Sequence, residues 1–208
     1  MRSLLGTLIL LCGFGYEHGS YAANILVYSP SYSQSHLITN ALMADILAEE
    51  AGHNVVMFIP EYHETNFNGT KHAKIIRMSG ISDSFDENMK DFSAGFIKDH
   101  TLSFRLRKLF EEATSEQCEA ILRRKSELEQ LRSYNFDVAF SEQLDLCGVG
   151  IIRYLGIKNH IWISSGSMMD GLSDTLGVPM PISYVPSVEE NDLSTEMSFM
   201  ERAQNMYL

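Results

Sequence analysis

Between Asn24 and Pro60 the spacing of hydrophobic residues changes twice. Ile25, Leu26, Val27 and Tyr28 form an unbroken apolar run. A run without alternation predicts a strand covered on both faces, here over 24–29. From 35 to 51 the apolar residues return at helical spacing: Leu37, Ile38, Ala41, Leu42, Ala44, Ile46 and Ala48, with Asp45 as an acidic interruption. That pattern predicts a helix, with Ser35 at its N-cap and Gly52 just past its end. "HNVVMFIP", His53 to Pro60, is a second apolar run closed by proline. Strand, helix, strand in this order predicts a βαβ unit with a right-handed crossover and a parallel sheet.

The pattern is weaker over 61–100, where "KIIRMSG" (Lys74 to Gly80) fits a third strand and 86–98 fits a helix. Over 101–133, Leu102, Leu106, Leu109, Phe110, Ala113, Cys118, Ile121, Leu122, Leu128 and Leu131 mark one apolar side across two helices, and the charges between them read as a solvated face. A second βαβ unit follows: strand Phe136 to Glu142, helix Leu146 to Gly156, strand His160 to Gly166. The segment 177–187 holds Pro179, Pro181 and Pro186 and reads as extended surface chain. Ser194 is placed to cap a last helix with Glu196, Met200, Ala203 and Tyr207 on one face. This pattern runs to Leu208 without a stop signal, which reads as a chain cut short inside a helix.

Composition narrows the class. The chain has 208 residues, 45% of them hydrophobic, so a packed core is expected. The net charge of −11 and the absence of a basic stripe argue against nucleic acid as a partner. Arg2, the apolar stretch Ser3 to Gly15, and Ser20 and Ala22 before a cleavage point read as a secretory signal peptide over 1–22, with an N-terminal anchor as the alternative. Residues 23–208 would then be the folded domain. Cys118 and Cys147 remain after the signal is removed. Two cysteines are not a disulfide framework, and buried free thiols are the expectation, with a bridge open in an oxidising compartment. No Cys/His spacing fits a zinc site. Asn68-Gly69-Thr70 is a sequon, a candidate glycan site in a secreted chain.

Candidate chemistry lies at the strand ends. Ligands of open parallel sheets sit outside the carboxyl ends of the strands. His36 follows the first strand and Glu142 ends the strand of the second unit; whether they lie side by side depends on strand order. A histidine in a helix's first turn feels the positive end of the helix dipole, which disfavours the imidazolium. If a carboxylate holds its other nitrogen, the pair is a general base suited to a hydroxyl proton. A lone histidine there is more commonly a solvated or capping residue, and the residues alone leave both readings open. "SPSYSQSH" has no G-x-G-x-x-G, no P-loop occurs, and Gly148-Val149-Gly150 is too sparse to replace them. The domain is Rossmann-like without a phosphate cradle of its own.

Four stretches, "ILVYSPSYSQSHL", "AGHNVVMFIP", "FDVAFSEQLDLCGVGI" and "PISYVPSVEENDLSTEMSFMERAQN", in this order resemble the animal UDP-glycosyltransferases, nematode UDP-glucuronosyltransferases above all. The resemblance spans about 24–208. It implies an α/β fold: a Rossmann-like parallel sheet flanked by helices, the N-terminal, acceptor-binding half of a two-domain GT-B glycosyltransferase. It places the family's catalytic histidine on His36, which would deprotonate a small lipophilic acceptor for inverting attack on a UDP-sugar such as UDP-glucuronate. It places the supporting aspartate on Glu142, one methylene longer, with Asp145 as a fallback. It implies no cofactor beyond the UDP-sugar co-substrate, which the C-terminal domain would bind. The family's Trp-x-Pro-Gln and His-x-Gly-Gly signatures and its closing membrane helix have no match here, so the chain reads as inactive alone. The resemblance implies the endoplasmic reticulum lumen, membrane association in full-length relatives, and pairing with such relatives. The alternatives are a non-catalytic binding or regulatory module and an unrelated secreted α/β binding protein.

Overall fold

The computed structural model describes residues 21–67, 69–81, 84–99, 103–187 and 192–207. The signal-peptide reading of 1–22 and the sequon residue Asn68 fall almost wholly, and wholly, outside them. Five strands form one parallel sheet: β1 (Asn24–Tyr28), β2 (Asn54–Pro60), β3 (Lys74–Met78), β4 (Val138–Glu142) and β5 (Asn159–Ile163). Their spatial order is β3-β2-β1-β4-β5. The chain thus winds outward from β1 one way, returns, and winds out the other way. β1 and β4 are the neighbours where the winding reverses, and the crevice of such a sheet opens there.

Both faces of the sheet are covered at its centre, which is why β1 carries no polar alternation, while the edge strand β5 stays partly exposed. Leu26 and Tyr28 point into one core with Val56, Phe58, Ile121 and Leu128, under α3 (Phe104–Arg123) and α4 (Lys125–Arg132). Ile25 and Val27 point into the other, with Val55, Met57 and Ile59, under α1 (Gln34–Asp45). Burying each such aliphatic side chain contributes about 1.5–3 kcal/mol. The remaining helices are α2 (Ser84–Asp99), α5 (Cys147–Tyr154), α6 (Asp170–Leu176) and α7 (Phe199–Tyr207).

Several local expectations are corrected. α1 starts one residue before Ser35: Ser33 is its N-cap and makes no side-chain capping bond, while its hydroxyl lies 3.0 Å from that of Ser35. The helix ends in a π-turn, Ile46–Glu50, before Gly52 takes the left-handed conformation expected of it (φ 69°). Only three of the seven apolar residues of the predicted stripe are buried: Leu37, Ala41 and Ala44 face the sheet, whereas Ile38, Leu42 and Ile46 are exposed and Ala48 is half-buried. Ser194 does not cap a helix; α7 opens at Ser198, whose N–H donates to Glu201 Oε2 at 2.7 Å while Glu201 N–H donates back to its hydroxyl, a capping box. Met200 and Tyr207 are exposed, and α7 is held instead by Asn205, which bonds Ser187, Ile182 and Val185.

The cysteines are the largest correction. Cys118 and Cys147 form a disulfide, their Cα atoms 5.5 Å apart, rather than remaining free thiols. It ties α3 to the first residue of α5. Gly148 follows, and a Cβ there would lie 2.8 Å from both Ser141 Cβ and Tyr28 Cδ1, so glycine lets α5 rest directly on β1 and β4.

Candidate active site

The adjacency of β1 and β4 settles the question of strand order. His36, the third residue of α1, lies beyond the end of β1, and Glu142 is the last residue of β4. His36 Nδ1 is 3.3 Å from Glu142 Oε2, with the imidazole 16% exposed and the carboxylate 1% exposed. Ser29 to Ser31, the first part of the stretch between β1 and α1, are buried and laced to the end of β2 and the loop after it. Ser29 N–H donates to Phe58 O, Ser31 N–H to Pro60 O, and Ser31 Oγ–H to His63 O. Ser29 Oγ accepts from Asn40, one turn after His36, which fixes the start of α1 on the sheet.

Glu142 is oriented from its other oxygen. Oε1 accepts the N–H of Gln143 at 3.3 Å and of Ser165 at 3.2 Å. Oε2 then faces the imidazole at 3.3 Å, just beyond the usual N–H···O range, so a small shift of either side chain lets an Nδ1 proton be donated to it. Burial pushes the Glu142 carboxyl up, but the His36 contact and the Ser165 N–H outweigh it and hold the group below the ordinary glutamate value. It is therefore an anion at neutral pH.

Two hydroxyls also reach His36 Nδ1, those of Tyr32 and Ser165, each at 3.0 Å. A hydroxyl can donate or accept, so neither dictates the tautomer. The buried carboxylate does, since it can only accept. A proton on Nδ1 satisfies Glu142 and leaves the lone pair on Nε2, which no described residue hydrogen-bonds. Tyr32 packs its ring on the imidazole (centroids 5.0 Å apart) and on Phe110 of α3. Burial first, then the charges of Glu142 and Asp145, push its phenol far up, so it stays protonated.

Asp145, the fallback partner, does not touch His36. It is 1% exposed and accepts from Tyr62 Oη at 2.6 Å, Tyr28 Oη at 3.3 Å and Cys147 N–H at 2.9 Å. Burial pushes its carboxyl up despite these donors. Its role is to anchor the turn between β4 and α5 on the two tyrosines. Tyr32, Ser165 and the Asp145 cluster escaped sequence reasoning. Tyr32, four residues before His36, carried a weak signal; Ser165, 129 residues away, carried none.

Beside α1's first turn, at the end of β2, lies a concavity of about 610 Å³ lined by Gln34, His63, Glu64, Thr65, Asn66 and Phe67. That is the size of a small-molecule site, though its lining is mostly polar. Thr70, the sequon's third residue, donates its hydroxyl to Asp45 of α1, which also accepts the N–H of Lys71 and His72. Among the described residues no group of His, Cys, Asp and Glu could hold a metal ion, and no helix is long and apolar enough to cross a membrane.

Comparison with known proteins identifies the family of the chain. A family model described as "UDP-glucoronosyl and UDP-glucosyl transferase" matches residues 23–208. Among curated proteins, the candidate UDP-glucuronosyltransferase ugt-50 of Caenorhabditis elegans is 36% identical over 96% of this chain and 39% of its own length. Its paralogue ugt-47 is 35% identical over 96% of this chain and 38% of its own length. The 2-hydroxyacylsphingosine 1-beta-galactosyltransferase of Rattus norvegicus is 28% identical over 88% of this chain and 33% of its own length. The chain thus spans less than two fifths of these relatives. Among solved structures, the Streptomyces sp. SF2575 glycosyltransferase SsfS6 aligns with a TM-score of 0.48 at 16% identity, over 74% of this chain and 43% of that one, too distant to carry an argument. The family match covers nearly the whole chain, and on that ground the chain belongs to the UDP-glucuronosyl and UDP-glucosyl transferase family.

Proposed function

We propose that this chain supplies the acceptor site and the general base of a UDP-sugar-dependent glycosyltransferase. The observation that carries the reading is the buried Glu142 carboxylate facing His36 Nδ1, with Nε2 left open. His36 Nε2 takes the proton of an acceptor hydroxyl as the oxygen attacks the anomeric carbon. The bond from that carbon to UDP breaks, UDP leaves with its electron pair, and the carbon inverts. Glu142 steadies the imidazolium while the proton is held, a contribution of the kind general-base pairs make. Glucuronate is the sugar favoured by the names of the nematode relatives.

In this reading the acceptor hydroxyl lies at His36 Nε2, and the rest of the acceptor is taken to occupy the concavity at α1's first turn, which Gln34 lines and His36 does not. Its size suits a small molecule, and its polar lining favours one with hydrogen-bonding groups around an apolar body. No nucleotide-sugar signature lies in these 208 residues, so donor binding falls to a second domain and the chain alone does not turn over. A disulfide suits an oxidising compartment, which supports the secretory pathway as the site of action.

The test is a two-part assay with labelled UDP-glucuronate and a phenol. The chain alone should bind the phenol without forming product, and should form it when a donor domain from a relative is fused to it. Product from the chain alone would refute the division of labour. No product from the fusion, with both substrates bound, would refute the function.

A further inference from the structure

Glutamate is longer than the aspartate that the family resemblance implied, and a longer carboxylate has an additional torsion to fix. The structure shows what fixes it. Ser165, on the loop after β5, contacts both members of the pair: its N–H donates to Glu142 Oε1 at 3.2 Å and its hydroxyl lies 3.0 Å from His36 Nδ1. Ser165 is itself exposed, so its own packing does not place it. Its neighbours are held by Gln143, the residue after Glu142. Gln143 Nε2 donates to Ser164 Oγ at 2.5 Å and to Ser167 O at 2.9 Å, and its backbone N–H donates to Ile163 O at 3.0 Å. Ser164 Oγ in turn donates to Gly166 O. Gln143 is 7% exposed, so the loop is pinned from a buried side chain.

We propose that Ser165 is a positioning residue for the base, and that Gln143 is the clamp that holds Ser165 in place. The inference rests on the reading of His36 as the base. Three groups compete for His36 Nδ1. If Glu142 swings away, the Tyr32 and Ser165 hydroxyls can donate to a bare Nδ1, and the proton moves to Nε2. The imidazole then presents N–H to the acceptor and cannot take its proton. Tethering Oε1 through the Ser165 N–H keeps Oε2 on Nδ1 and keeps the productive tautomer. The glutamate's longer reach is thereby made usable: one oxygen is spent on the loop, the other on the histidine.

The test reads the tautomer directly. The ¹⁵N shifts of the His36 ring are recorded in the whole chain, with the resonance assigned by its loss in His36→Gln. Gln143→Leu removes the clamp's donors, and Ser165→Pro removes the tethering N–H. Each should shift the ratio of Nδ1–H to Nε2–H about tenfold toward Nε2–H, the effect of losing one hydrogen bond to a charged acceptor. Ser165→Ala keeps the N–H and should retain the wild-type tautomer, which separates tethering from general damage to the loop. Unchanged amide spectra for the β1 and β4 residues establish that the variants are folded. A wild-type tautomer in both Gln143→Leu and Ser165→Pro would overturn the proposal, and so would an equal shift in Ser165→Ala. Failure of the base reading looks different: in the donor-domain fusion, turnover would ignore His36→Ala while the tautomer still followed Ser165→Pro.

Discussion

Reducing the Cys118–Cys147 bridge should cost the fold a definite amount. The two residues are 29 apart in sequence, and closing a loop of that length in the unfolded chain removes about 12 cal/mol/K of entropy, or roughly 3.6 kcal/mol at 25 °C. Stabilities of natural domains are about 5–15 kcal/mol, so the bridge is a large share. With a urea dependence of about 2 kcal/mol/M, the midpoint should fall by roughly 1.8 M on reduction. The assay is urea unfolding followed by circular dichroism, with and without reductant, beside a Cys118→Ala/Cys147→Ala double variant. The bridge also ties α3, whose Phe110 rests on Tyr32, to α5, whose first N–H holds Asp145. Loosening it should therefore loosen the wall behind His36 as well as the fold. A midpoint that does not move on reduction, with a non-reducing peptide map showing free thiols, would refute both the bridge and the reasoning.

Other perturbations probe the site piece by piece. Glu142→Asp shortens the side chain by one methylene, so the carboxylate loses either Ser165 N–H or His36; transfer by the fused enzyme should drop about tenfold or more, the value of one charge-assisted bond. Glu142 is held below its ordinary pKa, so its stabilisation is present above the ordinary carboxylate range and is lost as pH falls through its lowered folded value. Glu142→Gln should therefore flatten the acid side of the stability profile, measured as urea midpoint against pH. Tyr62→Phe removes the shortest donor to buried Asp145 and should cost about 1.5–3 kcal/mol. Because that bond favours the ionised carboxyl, the deficit should be full at neutral pH and shrink as Asp145 protonates; a deficit that does not vary with pH would contradict the assignment. Gly148→Ala brings a Cβ to 2.8 Å from Tyr28 and Ser141 and should cost about 1–3 kcal/mol by thermal or urea melting.

The centre of the sheet was legible because β1 and β2 are covered on both faces. "NILVY" and "NVVMFIP" read as strands from apolar content alone, and they are strands. The two-helix reading of 101–133 also holds, since the break comes at Arg124 between α3 and α4. Periodicity misled where both sides of a helix are apolar: Ile38 and Leu42 sit at helical spacing from Leu37 and Ala41, yet only the latter pair is buried. His36 and Glu142 were nameable as strand-end polar groups, but their meeting required the order β2-β1-β4, a property of the whole topology. Ser165 joins the site across 129 residues and the cysteine bridge spans two helices, and neither contact leaves a local pattern. Asp145 read as a spare partner because it sits three residues after Glu142; its burial under Tyr28 and Tyr62 is tertiary.

The base itself is best tested by changing how much the acceptor needs one. In the donor-domain fusion, kcat/KM of wild type and His36→Ala would be compared for an aliphatic alcohol and for a nitrophenol that is largely ionised at the assay pH. A general base contributes on the order of 10²–10⁴-fold where a proton must be removed. The account predicts a deficit of that size for the alcohol and a much smaller one for the nitrophenol. Equal deficits for the two acceptors, or none for the alcohol, would contradict it.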